Sequence, residues 1–154
     1  MGAYEVVRST TIEAEPARIH ALVNDFHEWP AWSPWEDIDP NMKRTHSGAV
    51  SGVGAHYAWK GNRKAGEGSM EITGSTPERV DIDLAFLKPF ENKNKVSIEL
   101  RPVGSATEVT WRMNGETKGL WAVASKVFPM DRLIGKDFEK GLARLQAVAE
   151  HSSA

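Results

Sequence analysis

From Asn41 to Gly115 apolar and polar positions alternate, the period-two signature of half-buried strands. The pattern predicts strands over Lys43–Gly48, Ala55–Lys60, Gly66–Gly74, Val80–Leu87, Lys95–Pro102 and Thr107–Asn114. Between them lie turn signals: Ser51-Gly52-Val53-Gly54, Gly61-Asn62, Ser75-Thr76-Pro77, Lys88-Pro89 and Gly104-Ser105. Strands joined so tightly are antiparallel, because a parallel crossover needs a dozen residues or more. Ahead of them, Tyr4–Ala14 reads as a further strand, and Pro16 opens a short helix over Pro16–Asn24 with Ile19, Leu22 and Val23 on one face. Phe26, Trp29, Trp32 and Trp35 then recur every third residue. That spacing suits a single tight helical turn, since Pro30 and Pro34 forbid anything long. After an apolar stretch, Leu120–Phe128, the residues Ile134, Phe138, Leu142 and Leu145 mark one face of a long C-terminal helix. Strands in a run, with helices kept to one side, predict an α+β fold.

Alternation also sorts the side chains by face. One face carries Ala55, Tyr57, Trp59, Met70, Ile72, Leu84, Phe86, Trp111 and Met113, with Gly66 and Gly68 as a strip without side chains. The other carries His56, Lys60, Glu67, Glu71, Asp81, Asp83, Glu99, Glu108 and Arg112. A sheet wet on one side needs a roof on the other, and the C-terminal helix is the candidate. Large residues around a bare strip either close a solid core or surround a cavity. On the strands divided this way, the inward face offers the Tyr57 hydroxyl and Thr107 but no Asp, Glu, His, Lys or Arg. Acid–base and nucleophilic chemistry both need such groups at the reacting atom, so the pattern favours a binding face over an active site.

Composition narrows the classes. At 154 residues the chain is read as one domain over 1–150 with a frayed tail, 151–154. Hydrophobic residues at 40% and charged residues at 26% place it among globular rather than disordered chains. The longest apolar run, Leu120–Ala124, is five residues, so no membrane span is expected. Cysteine is absent, which excludes disulfides, iron–sulfur clusters and thiolate chemistry and fits a cytoplasmic setting. A net charge of -2 argues against nucleic acid as a partner. The five histidines show no metal-ligand spacing, and no metal or other cofactor is expected.

Several segments together resemble a known superfamily. Thr11–Ile19, the tryptophan-rich Trp29–Trp35, Phe86-Leu87-Lys88-Pro89-Phe90, Glu108–Gly115 and Met130–Leu145 look, in order, like the segments of the START-related, birch-allergen-like (SRPBCC) group, in its bacterial polyketide cyclase/dehydrase-like branch. The resemblance implies a helix-grip fold: a curved seven-stranded antiparallel sheet wrapped around a long C-terminal helix, with a hydrophobic cavity between. No inward polar set matches a catalytic mechanism of that group.

The expected function is therefore binding of a small hydrophobic molecule, lipid-, polyketide- or aromatic-like, by a monomer or homodimer. Trp32, Tyr57, Trp59, Met70, Leu84, Phe86, Trp111, Met113, Trp121, Phe128 and Ile134 are the expected ligand wall, with no catalytic residue. Two alternatives stand beside it: a polyketide cyclase/dehydratase-like template enzyme, and a protein-interaction module using Trp35, Phe90 or the basic tip Lys60–Lys64. Gly135 and Gly141 each cost a helix about 1 kcal/mol against Ala, so a close approach of sheet backbone is expected there.

Overall fold

Two short segments at the start of the fold show how the tryptophans are used. Strand β1 (Gly2–Ile12) leads into helix α1 (Pro16–Val23), whose first position is the proline that suits it. Ile19, Leu22 and Val23 are buried, and a 3₁₀ turn, Trp29–Ala31, follows. A helix leaves its last carbonyls without intrahelical donors. Here Asn24 N–H donates to His20 O, Trp29 Nε1–H to Val23 O at 3.0 Å, and Trp32 Nε1–H to Leu22 O at 3.0 Å. The three-residue tryptophan spacing is thus one tight turn that brings two indoles onto the end of α1.

This computed structural model describes residues 2–33, 41–62, 66–88, 92–117 and 130–151. The remaining strands are β2 (Lys43–Gly48), β3 (Ala55–Lys60), β4 (Glu67–Thr76), β5 (Arg79–Lys88), β6 (Asn92–Val103) and β7 (Ala106–Thr117), and the long helix is α2 (Met130–His151). They form one seven-stranded sheet in the order β1-β7-β6-β5-β4-β3-β2, with every neighbour antiparallel. The α+β layout and antiparallel sheet match the pattern in the sequence. Several strands run longer than their apolar alternation, β6 starting three residues earlier than expected. The expected apolar turn Leu120–Phe128, Trp35 and Phe90 lie outside the described residues.

Opposed residues in an antiparallel pair share a face, so the register sorts the concave side into rows. Val80, Ile98, Trp111 and Arg8 form one row; Ile72, Ile82, Val96, Met113 and Val6 the next. Then come His46, Tyr57, Met70, Leu84 and Asn94, and finally Arg44, Trp59, Gly68 and Phe86. The convex side is charged and laced by ion pairs between strands: Arg112 with Glu5 and Glu99, Arg79 with Glu99, Lys95 with Asp83, Arg101 with Glu108.

Helix α2 buries Phe138, Leu142, Leu145 and Ala149, steps of four, three and four that keep one stripe on the sheet. Its main approach is to β1, with lesser ones to α1 and the 3₁₀ turn. It is tied down along its length. Arg144 Nη1 donates to Ser33 O at 3.1 Å, and Glu150 Oε2 accepts from Glu13 N at 2.9 Å and Gln146 Nε2 at 3.0 Å. Gly135 has a different reason from the one expected. It is the Arg8 side chain, not sheet backbone, that occupies the space a Cβ would need, and Arg8 Nε then reaches Glu139 Oε2 at 2.8 Å.

Candidate functional site

The concave face divides into two aromatic regions. Under α2, Phe138 stacks on Trp111 with ring centroids 4.0 Å apart and planes 5° from parallel. Trp32 meets Trp111 edge-on at 5.4 Å, and Trp29 lies 4.5 Å from Trp32. All four rings are buried. Across β3–β5 the rings are looser. Phe26 lies 5.9 Å from Tyr57, Tyr57 6.2 Å from Trp59, and Trp59 5.8 Å from Phe86. Trp59 and Phe86 are only partly buried and pack against the margin of the core. Met70 and Leu84 complete this wall in the same row as Tyr57.

The bare strip expected along Gly66 and Gly68 is resolved locally. Gly66 is not an inward strand residue. It closes the β3–β4 connection with φ +68°, its N–H donating to Asn62 O at 2.8 Å. Gly68 is inward, and the Trp59 indole lies across it: a Cβ there would sit 2.6 Å from that ring and 2.5 Å from Ala85 O. The glycine therefore lays the indole flat on the sheet, and a bulge between Glu67 and Gly68 adjusts the register at this point.

The structure sorts the expected wall residues clearly. Tyr57, Trp59, Met70, Leu84 and Phe86 come together on β3–β5. Met113 lies one row over, between Val96 and Val6. Trp111 and Trp32 belong to the stack under α2, where Trp32 is 0% exposed and its N–H is committed to α1. Trp121 and Phe128 lie outside the described residues, as does the Ile134 side chain.

The expectation of an inward face without ionisable groups is corrected at the sheet edges. Arg8 opposes Trp111, and Arg44 and His46 oppose Trp59 and Tyr57, so all three stand on the concave side. The edge strands carry few apolar residues, and alternation alone does not assign their faces. Asn94, buried and opposite Leu84, was missed because β6 begins ahead of its apolar run. Arg8 is matched by Glu139. His46 lies over Tyr57 at 5.2 Å and stacks on His27 at 4.2 Å.

A second concavity of about 570 Å³ opens at the other end of the sheet, between Pro16, His20, Ser75, Pro77, Leu100 and Pro102. The Ser75 hydroxyl donates to Asn24 Oδ1 at 2.7 Å, so His20 Nε2, 3.2 Å away, is the donor to Ser75 Oγ. With its proton directed to an amide oxygen, Ser75 is not set up as a nucleophile. Gly52 N–H also donates to Asn24 O at 2.9 Å, so this cluster ties α1 to β4 and the β2–β3 loop. Proton affinities are displaced far from the wall. Arg112 on the convex face is pushed upward by its hydrogen bond to Glu5, with Glu99 adding to it, and Glu150 is lowered by the Glu13 N–H and the Gln146 amide. Among the described residues no three His, Cys, Asp or Glu converge to hold a metal ion, and no helix is long and apolar enough to cross a membrane.

Residues 3–150 match the model of the family described as polyketide cyclase / dehydrase and lipid transport. The chain belongs to that family. The curved antiparallel sheet with its long C-terminal helix is the helix-grip fold expected of that superfamily. Protein CV1439 from Chromobacterium violaceum superposes with a TM-score of 0.68 at 14% identity, covering 95% of this chain and 96% of that one. Ara h 8.0201 gives 0.69 at 11% identity, covering 98% and 100%. The Aha1 dimer from Colwellia psychrerythraea gives 0.61 at 18%, covering 98% and 99%. At these identities the likeness speaks for the fold alone. No curated protein matches the chain.

Proposed function

We propose that this protein binds a small apolar or amphipathic molecule against the β3–β5 wall, with Tyr57, Trp59, Met70, Leu84 and Phe86 as its main contacts. One observation carries the reading: Trp59 and Phe86 stand on the concave face yet are only partly buried, beside a core in which Phe26, Trp29, Trp32, Tyr57, Trp111 and Phe138 are closed off. Apolar area left in water contributes about 25 cal/mol per Å² when a ligand covers it, less the costs of ordering the ligand. A flat indole beside an edge-on phenyl suits a planar or chain-like apolar body. The family's description, which includes lipid transport, supports the same reading. The 570 Å³ concavity is the weaker candidate, because its polar groups are already engaged in holding α1 to the sheet.

The test is isothermal titration with a neutral aromatic alcohol, 2-naphthalenemethanol, into the protein and into Trp59→Ala. The expected result is saturable binding that weakens roughly tenfold in the variant, the effect of losing one buried aromatic contact of about 1.4 kcal/mol. Equal affinity in both proteins would remove Trp59 from the site and the proposal with it.

A further inference from the structure

We infer, resting on that reading, that the ligand of the β3–β5 wall carries an acidic end, and that His46 at the β2 edge reads it. The register opposes His46 to Tyr57, so the imidazole projects over the same face as the apolar wall. It is not a free surface side chain in its orientation. Its ring lies 5.2 Å from Tyr57 on one side and is stacked on His27 at 4.2 Å, 16° from parallel, on the other. His27 is itself fixed, because Asp25 Oδ1 accepts its backbone N–H at 2.9 Å and lies 2.8 Å from its Nδ1. That carboxylate is therefore occupied by His27. The imidazole of His46 is held in one place by two rings that leave its edge to a ligand.

The sign of the face supports an acid. Among the described residues no Asp or Glu stands on the concave side of any strand, while Arg8, Arg44 and His46 do. Arg8 lies under α2 and is matched by Glu139, while the basic groups of β2 on this face are Arg44 and His46. Arg44 opposes Trp59 in the neighbouring row, its Nη1 3.4 Å from Met42 O. The convex side is the opposite case, with basic and acidic groups of adjacent strands paired. Position matters as much as sign. His46 is exposed, so a carboxylate there keeps part of its water while the body of the ligand lies on Trp59 and Phe86. A head group that stays partly hydrated avoids most of the cost of burying a charge.

The experiment compares two probes of one shape, 2-naphthoate and 2-naphthalenemethanol, by isothermal titration at fixed pH and salt. The expected result is that the acid binds roughly tenfold more tightly, as one hydrogen bond to a charged group supplies. His46→Phe keeps a ring against Tyr57 and His27 but removes both nitrogens. It is expected to cut the preference to about twofold or less, with the acid losing much more affinity than the alcohol. His46→Gln, which keeps a donor, is expected to fall between the two. Two results overturn the inference and leave the wall intact: the alcohol binds as well as the acid, or the preference survives in His46→Phe. If neither probe binds the unmodified protein, the wall itself is wrong and the inference falls with it.

Discussion

The half of the sheet beneath α2 and the half formed by β3–β5 are built from the same kinds of residue to different ends. Under the helix, Trp111, Phe138, Trp32 and Trp29 stack at short range, and two of the indoles donate to the carbonyls that end α1. Across β3–β5, Tyr57, Trp59 and Phe86 follow one another at about the same centroid spacing, 5.8 to 6.2 Å, and two of them keep part of their surface outside the core. Residue type does not separate the halves. Among the described residues, what separates them is how far the rings are sealed: α2 lies along β1 and sends Phe138 onto Trp111, whereas Trp59 and Phe86 stay partly outside the core. A ring sealed under another layer is structure, and one that the described residues leave partly outside the core is surface that a ligand can cover.

The contrast can be broken by mutation. Phe138→Ala, which opens the stack on Trp111, is expected to cost about 3–5 kcal/mol in urea unfolding, with Trp59→Ala costing clearly less. Equal costs would erase the distinction. Gly68→Ala sharpens it from the other side: the added methyl meets Trp59 and the Ala85 carbonyl, with an expected cost of about 1–3 kcal/mol and altered near-UV circular dichroism from the displaced indole. Trp32→Phe keeps a ring in the covered stack but leaves Leu22 O without its donor, an expected loss of about 1 kcal/mol and no change in probe binding. Glu139→Gln removes the partner of Arg8 in a half-exposed pair and is expected to cost under about 1 kcal/mol.

The smallest effect concerns acid. The hydrogen bonds from Glu13 N and Gln146 lower the proton affinity of Glu150 in the folded state. A lowered carboxylate stabilises the fold above its unfolded-state value, and that contribution is lost as pH falls through the folded-state value. Glu150→Gln is therefore expected to lower stability slightly near neutrality and to leave it unchanged in strong acid, so that the acid limb of unfolding becomes slightly shallower.

Much of the fold was legible in the chain. The two shortest strands, β2 and β3, have the bounds that alternation and turn residues assign, and the residues of the β3–β5 wall fall on one face as the period of two requires. Three things were not legible, each for a physical reason. Trp32 and Trp59 are equally large and apolar, and only the position of α1 and α2 decides that one is sealed and the other half open. The inward charges Arg8, Arg44 and His46 sit on edge strands, where apolar alternation is too weak to say which way a side chain points. Gly135 looked like a point of backbone contact, but the partner is the side chain of Arg8, from the far end of the chain, a pairing that exists only after the sheet has folded.

The wall is tested most directly by a site-resolved signal. With methionine methyl groups labelled with ¹³C, 2-naphthalenemethanol should shift the Met70 resonance saturably and leave Met113, one row nearer the covered half, moved far less. A probe that binds while Met70 stays still, or that moves Met113 in its place, would contradict the assignment of the site to β3–β5.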